Sequence, residues 1–204
     1  MGAAEGMLTY MLVNVVLIAA AYLLGTFPSA HLVAGRVGMD PTKEGSGNPG
    51  ATNVYRIAGR RPGVVVFFLD FLKGLVAATA GLALDGRPLG VACWVAATVG
   101  HVVPVTRGLK GGKGVATSAG GAVVLFPLPA AGGFALFFLL AQVTKKVSLG
   151  SISVALAMPL LLVLTGRPAS EVWGTAALGL LIVARHHRNI RRLLNGTESS
   201  WSPR

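Results

Sequence analysis

Long apolar runs, separated by short charged or glycine- and proline-rich segments, dominate this chain. Roughly 20 predominantly apolar residues in a helix can cross about 30 Å of hydrocarbon. Cutting the sequence at its charge and turn clusters leaves apolar segments at 7–27, 63–84, 88–104, 114–128, 129–145, 148–165 and 169–184. The pattern predicts an all-α fold, a polytopic integral membrane helix bundle with about seven transmembrane helices, in a single domain over residues 1–204.

The fourth and fifth apolar segments are shorter than the others. Pro127 and Pro129 mark their junction, where proline disfavours a continuous helix. These two segments are therefore expected to be tilted, partly buried in the bundle, or not both full crossings. The first segment lacks a basic leader, which favours a retained span over a signal peptide.

Composition supports a membrane protein and assigns its orientation. The chain is 53% hydrophobic and 12% charged, and its net charge is +11. With seven crossings, one side carries 15 of the 18 Lys and Arg residues, which under the positive-inside rule places the N-terminus outside and the C-terminus in the cytoplasm. The set comprises Arg36, Lys43, Arg56, Arg60, Arg61, Arg107, Lys110, Lys113, Lys145, Lys146, Arg185, Arg188, Arg191, Arg192 and Arg204. Topology accounts for these charges, so they give no support to nucleic-acid binding.

The first predicted cytoplasmic loop, residues 36–61, is long for a connection in a compact bundle. Its segment 45–56 combines small residues with hydrogen-bond donors, which suits a bound oxyanion. Residues 45–50 match the dinucleotide pattern G-x-G-x-x-G, but the strand and the βαβ unit which that pattern needs are missing. A plain turn is the alternative interpretation.

A second polar segment, 110–117, alternates lysine and glycine next to a predicted helix start. Such a segment offers cations, free amides and a positive helix end to a phosphate. It differs from a nucleotide-binding P-loop because Gly114 stands where that motif requires Ser or Thr. Membrane anchoring by Lys110 and Lys113 is the alternative, and His101 before this segment is either a catalyst or a packing residue.

A third polar segment, 185–198, follows the last apolar run. If the helix continues, Arg185, His186, Asn189 and Arg192 share one face and could reach a polar substrate. The alternative is a basic amphipathic tail on anionic lipid. Further inside the bundle, Asp70 and Lys73 have the i, i+3 spacing of an ion pair, which is either structural or a substrate contact.

These segments together resemble the bacterial acyl-phosphate-dependent glycerol-3-phosphate acyltransferase family, a membrane-integral family. The resemblance covers nearly the whole chain and rests on residues 45–53, 67–74, 110–117 and the pattern within 185–198. It implies a seven-helix enzyme of the inner membrane, with its active site facing the cytoplasm. The enzyme would transfer a fatty acyl group from acyl phosphate to the sn-1 hydroxyl of glycerol 3-phosphate, giving lysophosphatidate and phosphate. It would need no cofactor, no obligate protein partner and no acyl carrier thioester.

The resemblance also implies site residues. The catalytic candidates are Ser46, Arg56, Lys113 and His186; the substrate-binding candidates are Gly45, Asn48, Asn53, Lys110, Gly111, Gly112, Asn189 and Glu198. The scattered acidic residues form no carboxylate cluster of the kind Mg²⁺ requires, and Cys93 is a lone thiol, so no metal is expected.

The proton acceptor is open at this stage. Other glycerolipid acyltransferases use a His-x₄-Asp pair, and none of the four histidines here has Asp at that spacing. His186 or His101 could act as base, or a substrate phosphate could take the proton, which is the favoured hypothesis. The alternative function is a membrane carrier for phosphate or glycerol 3-phosphate, and a lipid-binding scaffold is a third possibility.

Overall fold

A computed structural model of the protein describes residues 2–200, with side chains from residue 5 onward. Met1 and residues 201–204, including Arg204 of the basic set, lie outside this range. Within it the chain is helical and contains no β-strand, which confirms the predicted all-α class. The α-helices are α1 Gly2–Gly25, α2 Ser29–Gly35, α3 Ala51–Ala58, α4 Arg60–Val102, α5 Val115–Leu125, α6 Pro127–Thr144, α7 Val147–Leu164, α8 Ala169–Arg185 and α9 His187–Leu194, with a 3₁₀ turn at Val105–Arg107.

Helix α4 contains two of the predicted apolar segments and folds back on itself between them. Asp85 and Gly86 have non-helical dihedral angles, and Gly86 has a φ of 69°, in the region that favours glycine. The two halves pack closely, because a Cβ added at Gly81 would lie 2.6 Å from the carbonyl oxygen of Leu89. The α4 hairpin therefore brings residue 70 and residue 101 to the same end of the bundle.

Small residues let the helices approach each other without intervening side chains. A Cβ at Gly74 in α4 would lie 1.8 Å from the carbonyl oxygen of Thr117, and one at Gly120 in α5 would lie 1.9 Å from that of Phe71. Such backbone contact is typical of helix pairs in membranes, where packing replaces the hydrophobic effect as the driving force. The crossing of α4 and α5 fixes where α5 begins.

The outward faces of the long helices are apolar. Leu128, Val143 and Leu164 are each 72% exposed, which is expected for side chains that face lipid. Four helical stretches are long and apolar enough to cross a membrane: Glu5–Gly35, Arg60–Arg107, Pro127–Thr144 and Val147–Leu164. The second includes the α4 hairpin. Helix α5 has only 11 residues; at about 1.5 Å per residue it is ~17 Å long, in keeping with the short fourth segment.

An ion pair between half-buried Arg87 and buried Glu171 joins three helices at the Asp85 end of the hairpin. Arg87 makes two parallel hydrogen bonds to Glu171, of 2.8 and 2.9 Å, and a third of 3.1 Å to the carbonyl oxygen of Leu125. Its guanidinium also lies over the ring of Phe126. Because Arg87, Leu125 and Glu171 belong to α4, α5 and α8, this pair holds the end of the bundle that lies away from the polar segments.

Candidate active site

The first polar segment is a folded turn organised by one buried side chain. The Asn53 Oδ1 atom accepts a 2.8 Å hydrogen bond from the Ser46 amide, and its Nδ2 donates to the carbonyls of Pro41 and Glu44. Gly45 has a φ of 62°, and a Cβ there would lie 2.3 Å from Asn53 Oδ1. Asn53 and Gly45 therefore hold the turn that presents Ser46.

Two helix N-termini face one polar cavity. Gly50, Ala51 and Thr52 at the start of α3, and Gly114, Val115 and Ala116 at the start of α5, line it. Both N-cap residues, Gly50 and Gly114, are glycines, so neither has a side chain that could cap its helix. The first-turn amides of both helices, together with the positive ends of their dipoles, are thus available to an anion.

Arg56 and Lys113 supply the positive charge of this cavity. Asp70 and Glu198 also line it, but each has a cation of its own, Lys73 at 2.6 Å and Arg192 at 2.6 Å. Within residues 5–200, Arg56 and Lys113 form no ion pair, and the Nε atom of Arg56 is buried without a hydrogen-bond partner. The cavity therefore has two uncompensated cations.

Burial lowers the pKa of both cations, so a bound anion would stabilise their charged forms. It lowers the pKa of Lys113 to about 8, with nearby Glu198 opposing the shift, and it lowers the pKa of Arg56 as well. Burial disfavours the charged form of each group. An anion that enters the cavity restores the missing countercharge and favours protonated Lys113.

The third polar segment does not continue α8 as one helix. His186 has φ −93° and ψ 8°, and a new helix, α9, begins at His187. The single continuous face expected for residues 185–192 is therefore not formed. The break instead sends His186 and Asn189 into the polar cavity, while Arg185 donates to the carbonyl oxygens of Gly111 and Gly112.

Glu198 ties the end of the described chain to the cavity. Its Oε1 accepts hydrogen bonds from Ser148 and Asn189, of 2.7 and 2.6 Å, and its Oε2 accepts from Arg192. Asn189 in turn accepts a 2.7 Å hydrogen bond from Lys113. Although burial raises the pKa of Glu198, the bonds from Ser148, Arg192 and Asn189 lower it below its usual value, so the carboxylate is ionised.

His186 is neutral in this environment. Burial, followed by the charge of Lys113, lowers its pKa to about 4. Its Nδ1 lies 2.7 Å from the carbonyl oxygen of Ile182, which can only accept, so Nδ1 carries the proton. Nε2 is left with a lone pair that can accept a hydrogen bond from a substrate hydroxyl.

The structure brings most of the predicted site residues together. The polar cavity is lined by Ser46, Asn48, Asn53, Arg56, Lys113, His186, Asn189 and Glu198. Four substrate-binding candidates, Gly45, Lys110, Gly111 and Gly112, do not line it. Lys110 and Gly45 are exposed, while the two buried glycines contact His101 and Arg185. These four residues are close in sequence to residues that line the cavity, but they do not line it themselves.

Sequence reasoning missed several contributors. Ser148, in the first turn of α7, binds the side chain of Glu198, and Lys146, just before α7, binds its carbonyl oxygen. Ser151 and Phe137 also line the cavity. No motif marks these residues, because a lone serine or phenylalanine at the end of an apolar run has no distinguishing pattern.

An apolar groove adjoins the polar cavity and runs between α5, α6, α7 and α8. It is lined by residues such as Ala122, Ala130, Gly133, Phe134 and Met158. Five residues line both spaces and form the junction between them: Phe67, Val115, Ala116, Phe137 and Ser151. A molecule with an anionic head and a hydrocarbon tail fits the combined shape.

Metal ligation has no evident place in this arrangement. Among the residues that the structure describes, His, Cys, Asp and Glu side chains form no group of three that could hold a metal ion. The metal-independent site remains a prediction. Full activity in the presence of EDTA would support it, and a loss of activity that Mg²⁺ restores would contradict it.

Comparison with known proteins gives consistent matches over most of the chain. A family model described as glycerol-3-phosphate acyltransferase matches residues 15–196. A glycerol-3-phosphate acyltransferase of Syntrophotalea carbinolica is 45% identical over 91% of this chain and 96% of its own length. One of Geobacter sulfurreducens is 42% identical over 94% of this chain and 99% of its own length.

Two solved structures resemble the fold. They are crystal structures of an integral membrane glycerol 3-phosphate acyltransferase, one in a glycerol 3-phosphate form and one in a lysophosphatidic acid form. The first has a TM-score of 0.89 at 38% identity and covers 93% of this chain and 96% of the solved chain. The second has a TM-score of 0.86, also at 38% identity, and covers 92% and 95%.

Proposed function

The chain belongs to the glycerol-3-phosphate acyltransferase family, and we propose that it transfers a fatty acyl group from acyl phosphate to the sn-1 hydroxyl of glycerol 3-phosphate. The products are lysophosphatidate and inorganic phosphate. One observation carries the assignment of substrate chemistry: two uncapped helix N-termini and two uncompensated cations, Arg56 and Lys113, converge on a cavity that opens into an apolar groove.

The polar cavity matches the charge of the substrates. Both carry a phosphate group, and helix N-termini with nearby Arg and Lys are suitable phosphate ligands. Arg56 presents a buried Nε donor without a partner, and Lys113 is held toward the cavity by Asn189. Ser46 and Asn48 add neutral donors, while Asn53, Gly45 and Glu198 fix the segments that carry these groups.

The reaction needs alignment more than activation. Acyl phosphate is a mixed anhydride, so a bond forms between its carbonyl carbon and the glycerol oxygen while the bond from that carbon to the phosphate oxygen breaks. Fixed donors stabilise the tetrahedral oxyanion and the departing phosphate, and the junction holds the two reactants in contact. The hydroxyl proton leaves with the departing phosphate group.

A substrate phosphate is a better proton acceptor than His186. The second pKa of a phosphate monoester is about 6, whereas the pKa of His186 is about 4. We assign His186 to orient the hydroxyl through Nε2. In a His186→Gln variant, kcat should fall by less than about 10²-fold, the smallest loss typical of removing a general base, and its pH dependence between pH 6 and 7 should match that of the unmodified enzyme. Loss of a titration in this range would identify His186 as the base.

The apolar groove is the proposed place of the acyl chain. Its lining consists mainly of Ala, Gly, Phe and Met residues on transmembrane helices. The groove meets the polar cavity at the place where the reacting carbonyl must lie. A lipid substrate enters such a groove from the bilayer without crossing water. The product lysophosphatidate leaves by the same route because its chain already lies in hydrocarbon.

We also propose that the single domain crosses the bacterial inner membrane seven times, with its N-terminus outside and its active site in the cytoplasm. The distribution of Lys and Arg supports this orientation. In a Cys93→Ser background, a membrane-impermeant thiol reagent should label Thr165→Cys on intact cells and Gly38→Cys only after permeabilisation. The reverse pattern would contradict the orientation.

Purified protein supplied with palmitoyl phosphate tests the reaction directly. Phosphate release should require glycerol 3-phosphate and yield lysophosphatidate in equal amounts, and palmitoyl coenzyme A should not replace the donor. Use of the thioester would contradict the assigned donor. No release from folded protein, with glycerol 3-phosphate uptake into vesicles, would favour a carrier instead.

A further inference from the structure

Three ionisable side chains, Asp70, Lys73 and His101, form a buried network, and Asp70 and His101 are part of the wall of the polar cavity. The Lys73 Nζ atom donates to Asp70 Oδ1 at 2.6 Å and to the Phe27 carbonyl oxygen at 2.7 Å. The Nδ1 atom of His101 lies 3.5 Å from both Asp70 Oδ1 and Lys73 Nζ. The network joins both halves of α4 to the turn between α1 and α2, and all three side chains are less than 9% exposed.

The network contacts the glycine pair of the second polar segment through His101. The Gly112 amide donates to the His101 carbonyl oxygen at 3.1 Å. A Cβ at Gly112 would lie 2.1 Å from His101 Nε2, and one at Gly111 would lie 2.1 Å from the His101 carbonyl oxygen. Arg185 binds the carbonyl oxygens of the same two glycines from the other side. The pair is thus clamped between His101 and Arg185, next to Lys113.

The same contacts make His101 a poor candidate for the base. Although His101 lines the polar cavity, its Nδ1 faces the ion pair and its Nε2 lies close to Gly112, so both ring nitrogens are directed at groups of the protein. Asp70 is engaged by Lys73 at 2.6 Å. A buried ion pair costs desolvation energy and is a weak source of stability, so a gain in stability does not explain its presence here.

We propose that Asp70, Lys73 and His101 are positioning residues that set the place of Gly111, Gly112 and hence Lys113 in the polar cavity. The proposal rests on the acyltransfer function above and adds that a phosphate-bearing substrate is recognised through a segment whose position depends on this network. The three residues keep Gly111, Gly112 and Lys113 in the position that binds phosphate, and they exchange no proton with the substrate.

Steady-state kinetics of Asp70→Asn tests the proposal. The KM of one substrate should rise about tenfold while kcat falls less than about threefold, and Gly112→Ala should raise the KM of that same substrate. Because both changes act on one contact, the double variant should raise KM no further than the larger single variant. If Asp70→Asn leaves Lys73 unpaired and fails to fold, Asp70→Asn/Lys73→Gln replaces it with the same expected result.

A matched control is the ion pair of Arg87 with buried Glu171 at the other end of the bundle. Glu171→Gln should lower thermal stability and leave both KM values unchanged. An Asp70→Asn enzyme with unchanged KM values and kcat would overturn the proposal. So would a loss of kcat of about 100-fold at unchanged KM with a titration missing from the pH profile, which would make the network a proton relay. Failure of the unmodified enzyme to form lysophosphatidate would refute the proposed function instead.

Discussion

The polar cavity and the apolar groove share five lining residues but are built in different ways. The cavity is formed by turns and helix ends, whose side chains are fixed by specific hydrogen bonds such as those of Asn53 and Glu198. The groove is formed by the flanks of helices, where small side chains leave space between them. The first region can select a chemical group by charge, whereas the second can select only size and apolar surface.

The difference shows how one small membrane protein binds a substrate that has both a charged head and a hydrocarbon chain. Buried charges need partners, and the cavity provides them for Asp70 and Glu198 but leaves Arg56 and Lys113 for the substrate. The groove has no charged lining residue, and its apolar walls offer an acyl chain the same surroundings as the bilayer. Changes in the cavity should therefore affect the reaction itself, while changes in the groove should affect only the choice of chain.

The largest effect is expected at Arg56. Replacing it by Ala removes a charged donor from the developing oxyanion or phosphate and should lower kcat/KM by about 10²–10³-fold. Arg60→Ala, an exposed arginine at the start of α4, is the matched control and should change kcat/KM little. A similar loss in both variants would mean that net positive charge, and not the position of Arg56, drives the reaction.

A smaller effect is expected at Glu198, which holds other residues of the cavity in place but is not one of its two unpaired cations. Glu198→Gln keeps the shape but removes the carboxylate that holds Asn189, Ser148 and Arg192, so kcat/KM should fall by about tenfold. Stability should also fall, because half-buried Arg192 loses its ion-pair partner. Ser148→Ala removes only one neutral partner and should cost less in both assays. A Glu198→Gln enzyme with normal activity would show that the end of the chain does not organise the site.

A change in pH dependence is expected from Lys113. Its pKa of about 8 means that the ammonium is charged below this pH and loses its proton above it. The kcat/KM of the unmodified enzyme should therefore decline as pH rises through about 8. Arginine stays charged throughout, so Lys113→Arg should move this decline to higher pH even if its maximal rate is lower. An unchanged profile in Lys113→Arg would assign the decline to another group.

Sequence predicted the cavity far better than the groove. The positions of the apolar segments and the convergence of residues 45–56, 110–117 and 185–198 follow from local signals such as glycine-rich turns and periodic apolar runs. The helix break at His186 and the exposed position of Lys110 depend on tertiary packing. The groove has no motif because it arises from space left between α5, α6, α7 and α8, which no single segment encodes.

The contact between His101 and Gly112 illustrates the same limit. The i, i+3 spacing predicted the pairing of Asp70 with Lys73, and the structure confirms it. The approach of His101 to that pair depends on the hairpin at Asp85 and Gly86, which brings the ends of α4 together. Spacing along one helix is readable from sequence, whereas the angle between two helices is not.

If the cavity handles the reacting group and the groove handles the acyl chain, two donors that differ only in chain length should respond differently to changes in each region. Acetyl phosphate and palmitoyl phosphate share the reacting group but only the second has a long chain. Gly133 lines the groove, and a Cβ there would already lie 3.3 Å from Met158 Sδ, so Gly133→Leu fills the groove; Gly132→Leu on the exposed face is its control.

We predict that Gly133→Leu lowers kcat/KM for palmitoyl phosphate by about tenfold or more and leaves that for acetyl phosphate unchanged. Lys113→Ala should lower kcat/KM for both donors by similar factors. Equal losses on both donors in Gly133→Leu, or a loss confined to palmitoyl phosphate in Lys113→Ala, would contradict this division of roles between cavity and groove.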